Sequence, residues 1–362
     1  MTLKPKLIDR YIARRFIVTF FVALILIIGI VIIFDISEKI DNFVSNQAPL
    51  KAIIFDYYVN FVPYFMNMFS PLFVFITVIF FTSKLAQNSE IIAILSGGVS
   101  YHRMMVPYLV SAAIIAMVSL ALNLWVIPRA NETRIAFEEK YVNNEGTFVN
   151  DVHYQIAPGQ FVYIESFSSW NNTAFRMTLE EVVDNELVSK TSCESATWDS
   201  TAGAWKLRTY FIRHYEDGIE DRVESGQVKD TVINLTLEDF YRNEDTVATL
   251  PQKALNNLIS TQRMRGDASI IYAQIEKNNR YSLPFSAFIL TIMGVSLSSR
   301  KKRGGMGWNI VVGLALSFSY ILFMKFSQMF VYTDTLSPTV ALWLPNVLFT
   351  IIAAVLYKLA PK

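Results

Sequence analysis

Residues 83–103 read SKLAQNSEIIAILSGGVSYHR and form a short polar stretch between two long apolar segments. Asn88 or Ser89 can cap a helix here, because a side-chain oxygen at that position accepts from the free N–H groups of the first turn. Glu90 follows in that turn, where a negative charge suits the helix dipole. The Gly-Gly pair at 97–98 ends the helix, since glycine adopts the left-handed conformation at little cost. The stretch therefore predicts a small helix.

This predicted helix also has an apolar side, made by Ile91, Ile92, Ile94 and Leu95. A connector between two membrane spans needs only polarity, whereas this one adds caps, a glycine stop and an apolar face. That combination is typical of a helix that docks onto another structure, and the alternative is an ordinary loop at the membrane interface. Ser100 is placed to cap the long helix that follows.

The chain contains two parts that differ in composition and charge. Of 362 residues, 52% are hydrophobic and 14% aromatic, more apolar than most soluble proteins. Residues 129–280 carry 16 Lys and Arg against 24 Asp and Glu, a net charge of −8, whereas the remainder carries 16 against 7, a net of +9. A basic membrane part therefore flanks an acidic soluble part. The single cysteine, Cys193, excludes an internal disulfide.

Six charge-poor segments are long enough to cross a hydrocarbon core of roughly 30 Å. The first shows no cleavage pattern and is predicted to be a retained helix. Basic residues before it, and the run Arg300-Lys301-Lys302-Arg303, indicate that these flanks lie in the cytoplasm. Residues 35–60 are predicted to hold an amphipathic helix on the outer surface. The six predicted spans are 16–34, 61–82, 104–127, 281–299, 308–330 and 340–357.

The insert between the third and fourth segments reads mostly as strands separated by turn signals. The predicted strands are 147–154, 161–167, 175–183, 187–198, 205–215 and 228–237, and residues 251–280 turn helical. Six short strands with little helix favour a sandwich, a jelly roll or an open barrel.

The predicted fold class is an α-helical membrane protein with six transmembrane helices, three plus three, and an all-β jellyroll-like domain between helices 3 and 4. Its domains are 1–128, with the small helix at 84–98, then 129–280, then 281–362.

The chemistry that the chain lacks narrows its function. No glycine is followed by lysine, which excludes a phosphate-binding P-loop. His102, His153 and His214 stand far apart in no metal-binding spacing, so neither a metal nor a cofactor is expected. The six predicted spans contain no carboxylate, which argues against an ion-coupled transporter. We expect a non-catalytic protein that either obtains its energy from elsewhere or does no transport work.

Two lysines stand out at the membrane. Lys325 is the one charge inside a predicted span, and it lies roughly 25 Å along from Trp308 at about 1.5 Å per residue. It either snorkels to lipid headgroups or lines an outward cavity that receives an anionic headgroup. Lys39, just beyond the first span, allows the same two interpretations, with a plain surface position favoured.

Four motifs, in order along the whole chain, resemble the LptF/LptG family of lipopolysaccharide-export permeases. They are Leu7-Ile8-Asp9-Arg10-Tyr11-Ile12, Leu85-Ala86-Gln87-Asn88-Ser89-Glu90 followed by Gly97 and Arg103, Phe161-Val162-Tyr163-Ile164-Glu165, and Trp343-Leu344-Pro345-Asn346. The third motif favours the LptG member. The resemblance implies a periplasmic β-jellyroll, an LptB-type cytoplasmic ATPase dimer, a sister LptF/LptG-type permease chain, periplasmic bridge proteins of the LptC/LptA type, and lipopolysaccharide as substrate. Nucleic acid is not among the expected partners.

The resemblance also implies functional residues. ATP binding would push on the coupling helix, and lipopolysaccharide would pass from the inner membrane into the jellyroll groove and on towards the outer membrane. The implied ATPase-coupling residues are Gln87, Glu90, Ile91, Ile94, Gly97 and Arg103. The lipid-path candidates are Lys39, Lys325, Phe161, Tyr163 and Phe211, although the chain departs from better-known members around the two lysines. Phe211 is predicted to point inwards, because the alternation of Trp205, Leu207, Thr209 and Phe211 places it on the apolar face of its strand. The implied location is the bacterial inner membrane, with both termini cytoplasmic and residues 129–280 periplasmic.

Two other classes of function fit the sequence less well. A membrane receptor with an extracytoplasmic β-domain would need a cytoplasmic output domain, and the longest predicted cytoplasmic stretch is about twenty residues. An intramembrane lipid-modifying enzyme would need acids or histidines near a membrane face, and the predicted spans supply none. Both readings fall below the exporter.

Overall fold

The computed structural model describes residues 7–142, 148–216, 218–240, 244–267, 269–299 and 305–360. The chain divides into two compact units. The helical unit comprises Met1–Val142, Ala248–Gln252 and Gln274–Lys362, and the β unit comprises Asn143–Val247 and Lys253–Ala273. The run at 300–303 that indicated a cytoplasmic loop lies outside the described residues.

Within these described residues, six helices are long and apolar enough to cross a membrane, as the sequence predicts. They are α1 (Leu7–Ser45), α2 (Leu50–Gln87), α4 (Tyr101–Tyr141), α7 (Ile270–Ser298), α8 (Gly305–Tyr332) and α9 (Pro338–Leu359). The shorter helices are α3 (Glu90–Ser96), α5 (Glu244–Ala248) and α6 (Gln252–Arg265). One π-helical segment lies within α2, at Ile53–Tyr58, and another within α4, at Leu122–Val126.

Several helices extend well beyond the apolar runs that reveal them. Residues 35–45 continue α1 and residues 50–60 begin α2, so the predicted separate surface helix at 35–60 is wrong. Likewise α4 runs on to Tyr141, past the predicted domain boundary at 129. Hydropathy ends where lipid contact ends, but these extensions stay helical because they pack on one another. An aromatic cluster of Phe43, Tyr57, Phe61 and Phe137 joins them.

Helix α1 contacts the rest of the helical unit along one narrow stripe. Its buried residues between positions 12 and 28 are Ile12, Phe16, Phe20, Leu24 and Ile28, one at every fourth position, and Phe43 is buried near the end of the helix. Such spacing places them on a single face of the helix. Most of the remaining apolar side chains of α1 are exposed or only partly buried, as lipid-facing or partner-facing residues are.

The β unit contains one six-stranded antiparallel sheet in which every strand pairs with its sequence neighbour. The strands are β1 (Phe148–Ala157), β2 (Gln160–Ser168), β3 (Thr173–Val183), β4 (Glu186–Asp199), β5 (Ala204–Glu216) and β6 (Ile219–Thr231). Five overlap the predicted strands closely, whereas the sixth begins at 219 instead of 228. This edge strand is mostly exposed, so it lacks the apolar alternation that marks a half-buried strand.

A row of paired residues across the sheet shows how the core is built. Ile164, Met177, Cys193 and Tyr210 follow one another across β2 to β5, and all face the apolar cluster of this unit. The row ends at Gly226, where a Cβ atom would lie 2.7 Å from the Tyr210 hydroxyl. Only glycine leaves room there for the tyrosine ring.

The direction of side chains switches along a line across the sheet. Asp151 (φ 53°), Arg176 (φ 50°) and Thr209 (φ 50°) are left-handed residues in β1, β3 and β5, and each falls at a gap in the ladder of paired residues. Leu207 is buried on one side of this line and Ile212 on the other, so the buried positions change from odd to even numbers. This switch explains why apolar alternation in the sequence is imperfect.

Candidate functional site

The small helix predicted at the opening stretch exists, but it starts differently. Ser89 is left-handed (φ 61°), and the first turn of α3 receives no side-chain cap, so the predicted capping bond is wrong. Asn88 instead donates to the Glu90 carboxylate (Nδ2···Oε1 3.2 Å). The left-handed residue turns the chain between α2 and α3 without such a bond. Gly98 (φ 81°) ends α3 as predicted.

The beginning of α4 follows the sequence more closely. The Ser100 hydroxyl accepts from the Arg103 backbone N–H at 3.3 Å, which confirms the predicted cap. The Gly98 backbone N–H donates a hydrogen bond to the Leu95 carbonyl oxygen (3.1 Å), which closes the turn at the end of α3. The segment from α2 to α4 is therefore a rigidly connected turn–helix–turn rather than an open loop.

The predicted coupling residues occupy different environments around α3. Gln87 and Gly97 are exposed, and Glu90 is half-buried. Ile91 is 1% exposed, and both it and Ile94 pack into the core of the helical unit. Ile91 therefore holds α3 in place and is covered, whereas Ile94 is only partly buried. The exposed apolar residue of this helix is Ile92, which the prediction omitted.

Arg103, also predicted as a coupling residue, is bound within the chain. Its guanidinium makes two parallel bonds to the Asp9 carboxylate, at 2.8 and 2.5 Å, across from α4 to α1. Two residues further along α1, the Tyr11 hydroxyl donates to Glu90 (3.4 Å). Sequence reasoning missed Asp9 and Tyr11, although both stand in the opening motif.

Lys39 lies in a network that links three long helices. Its ammonium is 3.2 Å from Asp35 and 2.9 Å from Glu138, and it also donates to the Tyr57 hydroxyl. Arg134 binds the same Glu138 from one turn earlier in α4 (3.1 Å). The surface position favoured for Lys39 is therefore wrong. Its charge is neutralised internally, so a role in lipid binding stays a prediction that this geometry does not favour.

Lys325 lines a cavity of about 150 Å³ inside the helical unit. Polar groups around it come from four long helices, including Asn67, Asn123, Glu276 and Arg280. Within the described residues no ion pair or hydrogen bond involves the Lys325 ammonium. A lysine ammonium that lines a cavity without an ion-pair partner among the described residues can form a charge-assisted hydrogen bond to an anion. The interpretation of Lys325 as a cavity residue therefore gains support over simple snorkelling.

The polar wall of this cavity is ordered by its own hydrogen bonds. Asn67 donates to Asn123 (2.7 Å) and accepts from Ser119 (2.6 Å). Arg280 is 1% exposed, and its guanidinium binds Glu276 (2.7 Å) and the Leu250 carbonyl (2.8 Å). The predicted boundary placed Arg280 and Glu276 in the insert, but both belong to α7 and to the helical unit.

In the β unit, Phe161 and Tyr163 line a second cavity, of about 290 Å³, together with His153, Glu180 and Arg265. The Tyr163 hydroxyl donates to Asp151 (3.3 Å). Partial burial and the nearby Asp151 carboxylate raise the pKa of Tyr163 above its ordinary value. Two predicted lipid-path residues thus share one site, which is lined by both aromatic and charged groups.

Phe211 is not at that cavity, nor does it point inwards as predicted. It is 46% exposed and stands in the same cross-sheet row as Tyr163, three strands away, with Thr178 and Ser192 between them. Since paired residues of neighbouring strands share a face, Tyr163 and Phe211 lie on the same face of the sheet, opposite the apolar core.

Within the described ranges, no group of three or more His, Cys, Asp or Glu side chains could hold a metal ion. Burial raises the pKa of the Cys193 thiol to about 11, so this cysteine is an apolar core residue rather than a reactive one.

A family model described as "Lipopolysaccharide export system permease LptF/LptG" matches residues 10–359, which include both units. No curated protein matches the chain.

Proposed function

The chain belongs to the LptF/LptG family of lipopolysaccharide export permeases, and on that premise we propose that it is the membrane subunit of an exporter driven by a separate ATPase. The family and the six long helices make it a multi-pass inner-membrane protein. The predicted family and fold class are confirmed. The family match does not separate LptF from LptG.

The observation that carries the ATPase proposal is the surface of α3. Its buried residue Ile91 fixes the helix to the helical unit, while Ile92 is 51% exposed on a polar connector. Gln87 and Ser96 are exposed as well. An apolar side chain ringed by polar ones is typical of a small docking site for a folded protein. The partner that fits is a cytoplasmic ATPase dimer of the LptB type, because this chain has no P-loop.

The proposal for the lipid path starts from the Lys325 cavity. Lipopolysaccharide carries phosphate groups beside acyl chains, and a lysine at an apolar-walled cavity suits a phosphate. Phe161 and Tyr163 supply aromatic surface in the β unit, where acyl chains would be carried further. In this proposal the β unit is periplasmic, both termini are cytoplasmic, and a sister permease chain and LptC/LptA-type bridge proteins complete the route to the outer membrane.

The docking proposal is tested by purifying the tagged chain gently and quantifying the ATPase that accompanies it. Ile92→Glu places a charge at the exposed apolar centre of α3 without touching its buried side, and Glu90→Lys reverses the half-buried charge. Both should abolish co-purification. Glu139→Lys, the same charge reversal at an exposed position of α4, is the matched control and should retain the ATPase. ATPase at unmodified levels with Ile92→Glu would remove the support for docking at α3.

A further inference from the structure

The first turns of α1 are joined to α3 and α4 by two polar contacts. The Asp9 carboxylate and the Arg103 guanidinium form a bidentate ion pair, and their side chains are only 14% and 29% exposed. Two parallel charge-assisted bonds fix orientation as well as distance, which a single bond does not. The second contact, Tyr11 to Glu90, reaches α3 itself.

Between these polar contacts lies shared apolar packing. Ile12 of α1 and Ile91 of α3 are each 1% exposed and belong to the same core cluster. Because Asn88 and Tyr11 each bind one oxygen of Glu90, that carboxylate is held from both the α2 side and the α1 side. Helix α3 therefore has few ways to move without moving the start of α1.

The middle of α1, between its first turns and the Lys39 network, offers little resistance to such movement. It packs through one residue at every fourth position, and most of its remaining surface is exposed. A helix held by a narrow stripe can rotate or tilt at a modest cost, whereas its ends are fixed by polar contacts. The Asp9–Arg103 end is thus the point at which α1 can be driven.

We propose that Asp9, Arg103, Tyr11 and Glu90 form a transmission clamp that makes α1 move together with α3. This inference rests on the proposed docking of an ATPase at α3, for its input. Asp9 and Arg103 are positioning residues: they convert a displacement of α3 into a displacement of α1, a 39-residue helix.

The clamp is tested first on the purified full-length chain, without any partner. Asp9→Asn and Arg103→Gln should each speed amide exchange in α3 and the first turns of α1 about tenfold, while leaving α9 unchanged. Arg14→Gln, which removes an exposed cation from the same end of α1, is the control and should not change exchange there. The charge-swapped double variant, Asp9→Arg with Arg103→Asp, should restore slow amide exchange.

The second measurement is the amount of ATP hydrolysed per lipopolysaccharide released by the reconstituted exporter. Asp9→Asn should raise this ratio several-fold with the ATPase still bound, since α3 then moves without α1. Arg103→Lys keeps the positive charge but loses the planar guanidinium, so its ratio of ATP hydrolysed to lipopolysaccharide released should lie between those of the unmodified protein and Asp9→Asn. This variant replaces Asp9→Asn in the measurement if Asp9→Asn fails to fold. Absence of a bound ATPase in the unmodified protein would count against the proposed function alone.

The clamp itself is overturned by either of two results. One is amide exchange in α3 that is the same in Asp9→Asn as in Arg14→Gln. The other is amide exchange in the double variant, Asp9→Arg with Arg103→Asp, that is as fast as in the single variants. That result would show that the two residues act separately and not as a pair.

Discussion

Lys39 Nζ lies 2.9 Å from Glu138 Oε1, and this contact joins the first long helix to the third. The same ammonium is 3.2 Å from Asp35, one turn earlier in α1. Tyr57 and Tyr58 of α2 both donate to Asp35, at 3.1 and 3.0 Å. Three helices therefore meet at one lysine, which balances two carboxylates in a mostly covered site.

Replacing Lys39 by Met should destabilise the helical unit by about 3–5 kcal/mol, because Asp35 and Glu138 then stay covered with less compensation. The double variant with Glu138→Gln should recover a large part of that loss, since one of the uncompensated charges is gone. Denaturant titration of the purified chain measures both. Lys51→Met, at an exposed position of α2, is the control, and equal stability of the two single variants would contradict a structural role for the network.

At the Lys325 cavity we predict a loss of lipid contact rather than of stability. Lys325→Gln should reduce cross-linking of lipopolysaccharide to neighbouring cavity positions about tenfold, the effect of losing one charge-assisted contact. Lys325→Arg should retain most of it. Lys51→Gln serves as the control for a lost exposed cation. If Lys325→Gln cross-links as the unmodified chain does, the side chain only snorkels.

Phe211 and Leu207 make a matched pair in β5, one 46% exposed and the other fully buried. Phe211→Asp should change the free energy of unfolding by less than about 1 kcal/mol, since its side chain already meets solvent. Leu207→Asp places a carboxylate in the apolar core without a partner and should cost several kcal/mol. Limited proteolysis of the full-length chain reports both, and easy cleavage of the Phe211→Asp β unit would contradict the assigned face.

The same Phe211→Asp variant tests the lipid path. If lipid runs along the face shared by Tyr163 and Phe211, the charge should lower cross-linking of lipopolysaccharide within the β unit while the complex still assembles. Ser192→Asp, on the same row between them, should act in the same direction. Unchanged cross-linking in both variants would move the path away from this face.

The β4–β5 turn should respond to acid through Asp199. The Thr201 hydroxyl and the backbone N–H groups of Ala202 and Thr201 bind this carboxylate and hold its pKa below the ordinary value of 3.8. Because the pKa of Asp199 is lowered in the folded state, its ionised carboxylate stabilises the turn at pH values above the ordinary pKa. This contribution is lost as the pH falls through the lower folded-state pKa. Amide exchange in the turn, compared between Asp199→Asn and the unmodified chain, should differ near neutral pH and converge as the pH falls below the lowered folded-state pKa of Asp199. A difference independent of pH would refute this.

The helical unit was largely predictable because crossing a bilayer demands long apolar runs, which a sequence displays directly. Helix ends were less predictable. Phe43 and Phe137 extend α1 and α4 past their apolar runs because they pack on each other at a ring-centroid distance of 5.8 Å. This contact joins residues almost a hundred positions apart in the sequence, and no local sequence pattern predicts it.

In the β unit, the turns and five strands followed from local residues, whereas β6 and the facing of side chains did not. An edge strand needs no apolar alternation, so residues 219–227 read as a loop. Phe211 was assigned inwards because alternation was counted from Leu207, yet the left-handed Thr209 between them shifts the count by one. A φ angle set by neighbouring strands is not visible in the sequence.

The site shows the same division. The small helix between α2 and α4, its glycine stop and the Ser100 cap follow from short-range backbone chemistry, so the sequence alone determined them, together with the family and the six spans. Only the tertiary structure decided which side chains are free to act. Arg103 is held by Asp9, Lys39 by Glu138, and Lys325 is left facing a cavity, because charges choose partners by proximity in space and not by distance along the chain.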